Sequence, residues 1–84
     1  GAVLQVHEAR VIEPPVGSVW WTNRGSPDDI IIWMVLTGPD ETRHVRCQWS
    51  IPSQSMSGFS YIRLSSFGPP HLRRLSDEGY TNGR

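Results

Sequence analysis

Turn-forming residues interrupt this chain about every ten residues, and this spacing restricts the folds open to it. Clusters rich in Gly, Pro, Asn, Asp and Ser lie at positions 14–15, 23–29, 37–41, 50–58 and 68–70. The stretches between them are short and rich in β-branched and aromatic residues, which favour strands. A chain of 84 residues has room for one small core. The pattern therefore predicts an all-β fold, a small five-stranded SH3-like or OB-like barrel with at most one short helical turn near the C-terminus.

The strands can be placed from the same pattern. We predict them over residues 17–22, 30–36, 42–49 and 59–67, with a short closing strand or one helical turn at 71–75. The run over 30–36 is apolar without alternation, which predicts a strand covered on both faces. Alternation in the next strand predicts that Val45, Cys47 and Trp49 face the core.

The segment 50–58 contains a proline, a glycine and four serines, and we expect a flexible loop there. In the strand that follows, alternation places Ile62 and Leu64 on one face. The opposite face then carries Phe59, Tyr61, Arg63 and Phe67. Both faces of this strand thus carry apolar or aromatic side chains.

We expect three segments in the chain. Residues 1–13 form an N-terminal arm or edge strand that ends at a pair of prolines, because proline removes a backbone donor. Residues 14–76 form the single β-barrel domain. Residues 77–84 are polar, contain two glycines and are expected to be a flexible C-terminal tail.

Composition excludes several classes of protein. The longest apolar run has seven residues, whereas a membrane-spanning helix needs about 20. The N-terminal residues lack the basic and apolar regions of a secretory signal. The one cysteine, Cys47, excludes an intramolecular disulfide framework. We therefore expect a chain without a membrane partner, located in the reducing cytoplasm of a bacterium or of a phage-infected host cell.

The sequence gives little support to enzyme activity. Cys47 lies on the predicted inner face, where a cysteine behaves as an inert small apolar residue. The spacing of His44 and Cys47 puts them on opposite faces of a strand, with an arginine between them, which argues against a metal site. No glycine-rich phosphate-binding loop is present. We expect a protein that is not an enzyme and that uses no metal or small-molecule cofactor.

The charges are segregated although the net charge is zero. Residues 1–42 contain two arginines and six acidic residues, and residues 43–84 contain six arginines and two acidic residues. All basic residues are arginine, whose guanidinium binds phosphate or carboxylate and stacks on aromatic rings. Two interpretations stay open. Either the two halves pair their charges in the fold, or the basic half binds an acidic ligand.

The basic half contains a candidate nucleic-acid surface. Alternation predicts that it consists of His44, Arg46, Gln48, Tyr61 and Arg63, if the strands that carry them are neighbours, with Arg73 and Arg74 as an extension. Guanidinium groups hold phosphates and aromatic rings stack on bases. The competing interpretation is that Phe59 and Tyr61 cover a second small core and that these arginines make ordinary surface ion pairs with Asp28, Asp29, Asp40 or Glu41. Nucleic-acid binding is therefore the alternative function.

The leading hypothesis depends on two adjacent tryptophans, Trp20 and Trp21. In a strand they point to opposite faces, so that one fills the core and the other lies outside it. An outward tryptophan next to apolar strand surface is typical of an anchor in a protein interface. The other interpretation is that the N-terminal arm covers it. We expect an interaction or adaptor module that binds a protein partner or its own copies.

Several short motifs resemble a known group of proteins. They are Gly17-Ser18-Val19-Trp20, an acidic loop, Trp33-Met34-Val35-Leu36, Val45-Arg46-Cys47 and Ile62-Arg63-Leu64-Ser65-Ser66-Phe67. Over residues 16–75 this pattern is similar to that of small uncharacterised proteins from bacteriophages and actinobacteria. The resemblance implies a barrel and a viral or bacterial setting. It implies no activity and no site residues, and the N-terminal arm departs from it.

Overall fold

The computed structural model describes residues 13–75, which form one antiparallel sheet. Its strands are β1 (Val19–Asn23), β2 (Ile30–Val35), β3 (His44–Ile51), β4 (Met56–Arg63) and β5 (Arg73–Arg74). The order across the sheet is β4-β3-β2-β1-β5. The all-β prediction with five strands is confirmed. The sheet is open, because no ladder joins β4 to β5 within these residues.

The predicted N-terminal arm and C-terminal tail lie outside the described residues, apart from Glu13. Helical structure between Glu13 and Leu75 consists of two 3-10 turns, Pro52–Gln54 and Leu64–Ser66, so the expectation of at most one helical turn, near the C-terminus, is wrong. In this part of the chain no helix has the length and apolar character needed to cross a membrane.

The core lies on one side of the sheet, which we call the inner face. Val35, Val45 and Cys47 are fully buried there, so the predicted inward positions of Val45 and Cys47 are confirmed. Trp49 shares their face and is half-buried. Residues beyond β4 cover this side of the sheet: Leu64, Phe67 and Leu72 are buried in the same cluster. The core therefore depends on the C-terminal third of the described chain as well as on the sheet.

The predicted loop over residues 50–58 is wrong. β3 continues to Ile51, and β4 begins at Met56, so the two strands form one long hairpin. Its turn consists of the 3-10 turn that starts at Pro52 and of Ser55, which has a left-handed backbone with φ 53°. Polar residues in this segment are exposed strand residues and turn residues, and composition alone does not distinguish these from a loop.

The predicted strand over residues 59–67 is also partly wrong. β4 ends at Arg63, and the chain then makes the 3-10 turn Leu64–Ser66. This turn breaks the period of two. As a result Leu64 and Phe67 are both buried, although alternation had placed them on opposite faces. The segment after it closes as the short strand β5 and makes no helical turn.

The prediction that β2 is covered on both faces is wrong for the described residues. Val35 is fully buried on the inner face, whereas Met34 points to the opposite side and is 39% exposed. Ile30 and Ile32 are half-buried on the same side as Met34. The apolar run therefore supplies the core from alternate positions and leaves its other side chains on a second, uncovered face.

Candidate functional site

The second face of the sheet, which we call the outer face, has no layer packed on it among residues 13–75. Alternation fixes which side chains lie there. The register β1 to β2 pairs Trp21 with Ile32, and the register β2 to β3 pairs Met34 with Gln48. Continuing across the sheet, Gln48 pairs with Phe59 of β4. Trp21 and Phe59 therefore lie on one continuous surface.

The two tryptophans of β1 have opposite environments. Trp20 is 9% exposed and packs edge-to-face on Phe67, with ring centroids 5.0 Å apart. Its Nε1–H donates to the hydroxyl of Ser18 at 2.9 Å, and that hydroxyl donates to the carbonyl of Pro15 at 2.6 Å. These two hydrogen bonds satisfy the indole N–H donor inside the core. Trp21 is half-buried and belongs to the outer face.

Trp21 lies in an apolar depression, which we call the Trp21 groove. It is lined by Val19, Trp20, Trp21, Pro27, Ile30, Ile32 and Leu75. Strands β1 and β2 supply the floor, and the loop before β2 and the residue after β5 supply the sides. Sequence analysis identified the tryptophan pair but missed Ile30, Ile32 and Leu75 as its neighbours. Their contribution depends on the strand order, which residue patterns do not give.

The second half of the outer face is the predicted basic surface, which we call the Arg46 platform. β3 and β4 are neighbours, with His44 opposite Arg63 and Arg46 opposite Tyr61. Gln48 lies in the same row and faces Phe59. The structure therefore brings together His44, Arg46, Gln48, Tyr61 and Arg63. Phe59 belongs to the platform as well, although it was not among the predicted site residues.

Aromatic rings flank the central guanidinium of the platform. The Cζ of Arg46 lies 5.1 Å from the ring centroid of Phe59 and 5.8 Å from that of Tyr61. These distances fit cation–π contacts. The two rings are 59% and 60% exposed, so a ligand can reach them. Phe59 was detectable from sequence, because alternation placed it on the face of Tyr61 and Arg63.

A tight turn before β3 fixes the backbone at His44, which lies at one end of the Arg46 platform. The Asp40 carboxylate accepts hydrogen bonds from the backbone N–H of Thr42 and of His44, both at 2.9 Å, and from the Thr42 hydroxyl at 2.7 Å. The His44 and Thr42 donors keep the pKa of Asp40 below its ordinary value. Arg43 completes the turn in a left-handed conformation with φ 64°. This network fixes the backbone from which His44 projects.

Arg73 and Arg74 do not extend the platform. They form β5, at the opposite edge of the sheet from β4, with β1 and β2 between β5 and the β3–β4 pair. Arg73 pairs with Trp21, so that it lies beside the Trp21 groove instead. Both arginines are exposed.

Charge pairing is sparse in the part of the chain that the structure describes. Within residues 13–75 the one ion pair joins Arg24 to Asp29, with N and O atoms 2.9 Å apart. It lies inside the loop between β1 and β2, and both partners come from the acidic half of the chain. The arginines of the platform and of β5 form no ion pair with the described acidic residues. The interpretation that the two halves pair their charges gains no support here.

Cys47 is enclosed by the core. Desolvation raises the pKa of its thiol to about 11, so that the reactive thiolate is suppressed at neutral pH. Among the residues from 13 to 75 no group of three or more His, Cys, Asp or Glu is placed to hold a metal ion. The predicted inert, structural role of this cysteine agrees with its burial.

Comparisons with known proteins return no match: no family model matches the chain, and no curated protein or solved structure resembles it significantly. The function must therefore be argued from the outer face itself.

Proposed function

We propose that this protein is a non-enzymatic interaction module whose Trp21 groove binds an apolar segment of a protein partner or of a second copy. The observation that carries the proposal is the contrast between two adjacent residues, Trp20 and Trp21. Trp20 is in the core, and Trp21 is on an uncovered face within an apolar groove. Large aromatic side chains in such positions are the usual anchors of protein interfaces.

The surroundings of the groove favour a peptide-like ligand. Its lining is almost entirely carbon, which favours an apolar side chain at the centre. Exposed charges flank it: Arg73 lies beside Trp21 on β5, and Asp28 follows Pro27 in the loop on the other side. Charges at the rim of an interface act mainly on the association rate and on specificity. The expected ligand is an apolar residue with charged neighbours of both signs.

A selection from a displayed library of random peptides tests this function. The matched variants are Trp21→Thr, which keeps strand propensity, and Tyr61→Thr, which removes an exposed aromatic ring outside the groove. We expect enriched peptides to share an apolar anchor, to lose binding by about tenfold or more to Trp21→Thr, and to keep it with Tyr61→Thr. The intrinsic fluorescence of the protein, which has four tryptophans, should change on titration with the same peptides, and Trp21→Thr should lack this change.

Two results would contradict the proposal. One is that no peptide is enriched and Trp21→Thr self-associates no less than the parent protein. The other is that enriched peptides bind Trp21→Thr as well as the parent protein. Circular dichroism on both variants establishes that the sheet is retained, so that lost binding is not a consequence of unfolding.

A second candidate function is nucleic-acid binding, favoured by one observation: the register of β3 and β4 unites the five predicted residues around Arg46. Exposed rings beside a guanidinium suit stacking on single-stranded bases with contacts to phosphate. This proposal needs no residue of the Trp21 groove.

A titration with labelled single- and double-stranded oligonucleotides, at low and physiological salt, tests the second candidate. We expect Arg46→Ala and Arg63→Ala each to weaken binding and to reduce the slope of log affinity against log salt by about one. Arg24→Ala is the matched control, because that arginine is already paired with Asp29. Equal effects of all three variants would identify a nonspecific charge effect, and unchanged binding in the platform variants would refute the platform.

We also propose a more specific fold and a cellular location for this protein. The sheet is the open form of an SH3-like barrel, supported by β5 beside β1 and by the 3-10 turn Leu64–Ser66 that leads toward it. An OB-like barrel is less favoured, since β5 does not neighbour β4 in residues 13–75. The buried thiol of Cys47 suits a reducing cytoplasm, bacterial or phage-infected.

A further inference from the structure

The two edges of the sheet are built differently. Among residues 13–75, β4 is an edge strand of eight residues, Met56–Arg63, and it pairs with β3 without a bulge over its whole length. It contains no proline and no charge before Arg63. Edge strands of this kind, long, regular and uncharged, are open to pairing with another strand.

The opposite edge carries the features that prevent such pairing. β5 has two residues, and both are exposed arginines. Pro69 and Pro70 precede it, and prolines cannot donate to a ladder. Short, charged and proline-flanked edges are the usual protection against strand addition. Within the described residues, β5 is therefore protected against strand addition and β4 is not.

The hydrogen-bond pattern shows which backbone groups of β4 have no partner within residues 13–75. The N–H of Leu64 donates to the carbonyl of Arg43 at 2.9 Å, which makes this a hydrogen-bonded pair of the antiparallel ladder. Such pairs alternate with non-bonded ones, so that the residues bonded to β3 are the even-numbered ones. The N–H and C=O groups that point away from the sheet then belong to Ser57, Phe59, Tyr61 and Arg63.

We propose that β4 pairs antiparallel with β4 of a second copy, about a two-fold axis at Ser60. In this register Phe59 lies opposite the partner's Tyr61, and Ser57 lies opposite the partner's Arg63. Of the possible two-fold registers, this one pairs with one another all four residues whose backbone groups point away from the sheet. A shift of the axis to Phe59 or Tyr61 puts Arg63 or Ser57 opposite a residue beyond the strand. The result is a ten-stranded sheet, twice the five strands of one chain.

Two further observations favour a second copy as the occupant. The outer-face side chains of β4 are complementary to themselves under a two-fold axis. The exposed rings of Phe59 and Tyr61 in one copy lie opposite the exposed rings of Tyr61 and Phe59 in the other. The axis also keeps the two Arg63 side chains apart. In addition, the formal net charge of the chain is zero, so that no long-range repulsion opposes association. The dimer would join two Arg46 platforms into one surface.

The first test is the concentration dependence of mass, by sedimentation velocity, for the full chain and two variants. Phe59→Pro removes an outward N–H and leaves the bonds to β3 intact, and Phe59→Thr removes the ring but keeps the N–H. We expect a dimer of twice the 9.5 kDa chain mass. Phe59→Pro should raise the dimer dissociation constant by about tenfold or more through lost hydrogen bonds, and by more than Phe59→Thr.

A second test probes the register and does not require a loss of function. At the axis, Ser60 would face its own copy as a non-bonded pair, with Cα atoms about 4.5 Å apart, which allows a disulfide. We expect Ser60→Cys to form a covalent dimer on mild oxidation. Ser57→Cys is the control on the same strand, because Ser57 would face the partner's Arg63 and not its own copy. Ser60 lies opposite Cys47 in the β3–β4 pairing, close enough for an intramolecular disulfide, so both cysteine variants are made in a Cys47→Val background.

Three outcomes would overturn the β4 pairing. The full chain could stay monomeric at every concentration, or the two cysteine variants could cross-link equally. Alternatively, Trp21→Thr could abolish the dimer while Phe59→Pro leaves it intact, which would assign self-association to the Trp21 groove. Because the groove and the β4 edge involve different residues, failure of this proposal leaves the peptide-binding test unaffected.

Discussion

Trp20 and Trp21 are adjacent and chemically identical, yet they belong to two regions that the sheet separates. Trp20 contributes to the inner face, with the fully buried Val45 and Cys47 and the covering ring of Phe67. Trp21 contributes to the outer face, where the groove and the Arg46 platform are open to solvent. The comparison separates residues that stabilise the fold from residues that are available for binding.

Among the described residues, the segments that cover the sheet pack on its inner face. Leu64, Phe67 and Leu72 all pack on that side. Nothing comparable packs on the outer face among the described residues, although Met34, Phe59 and Tyr61 are large and apolar. Exposed apolar surface that the fold does not need is typical of an interaction site. The predictions that follow test this division.

The largest expected effect is on the inner face. Trp20→Ala removes the ring that contacts Phe67 and leaves a cavity, and we expect a loss of about 3–5 kcal/mol in the free energy of unfolding. That is a large part of the stability of a small domain. Urea denaturation followed by circular dichroism measures it. Trp20→Phe is the intermediate control, since it keeps one six-membered aromatic ring but loses the rest of the indole and the hydrogen bond to Ser18. A Trp20→Ala variant as stable as the parent would contradict the division.

The next effect concerns close packing at the β3–β4 hairpin. A Cβ added to Gly58 would lie 2.6 Å from the Cζ2 atom of Trp49, which is shorter than real contacts allow. We expect Gly58→Ala to cost about 1–3 kcal/mol through overpacking. Gly38→Ala is the matched control, because nothing lies within 4 Å of its added Cβ. Equal stabilities of the two variants would show that Trp49 can move aside.

The buried thiol gives the inner face a pH dependence. The pKa of Cys47 is raised by burial to about 11 from its ordinary value of 9.0. The folded state therefore favours the neutral thiol, and this stabilisation is complete below pH 9 and is lost as pH rises toward 11. We expect the Tm of the protein to fall over this window more than the Tm of Cys47→Val, which has no thiol. Parallel Tm curves for the two proteins would show that burial does not control the thiol.

Sequence patterns predicted the inner face better than the outer face, for a physical reason. Alternation is local, so that Val45 and Cys47 could be placed from their own strand. The 3-10 turn after Arg63 has no such period, and the buried position of Phe67 was therefore assigned to the wrong face. The groove needs the order of strands, because Leu75 reaches Trp21 only through the pairing of β5 with β1. Non-local pairing has no signature in a single sequence.

A smaller effect on stability is expected at Trp21. Its side chain is partly buried, with solvent on the open side of the sheet, so Trp21→Thr should cost about 2 kcal/mol of the free energy of unfolding, less than Trp20→Ala. The measurement is the same urea denaturation as for Trp20→Ala. A cost that reaches the value for Trp20 would mean that Trp21 is a core residue, and its role as a binding anchor would lose its basis.

The smallest expected effect is the coupling between Arg46 and Phe59. A double-mutant cycle with Arg46→Met and Phe59→Leu should give a coupling energy of about 0.5–1 kcal/mol, the range for exposed cation–π pairs, because the guanidinium lies 5.1 Å from the ring centroid. Arg63→Met with Phe59→Leu is the control cycle, since no cation–π contact joins that pair. A coupling near zero in the first cycle would mean that the Arg46 guanidinium is not held by the ring. The nucleic-acid candidate would then lose the ordered guanidinium on which it depends. A measurable coupling would mean that the ring holds the face of the guanidinium and leaves its in-plane N–H groups available for phosphate.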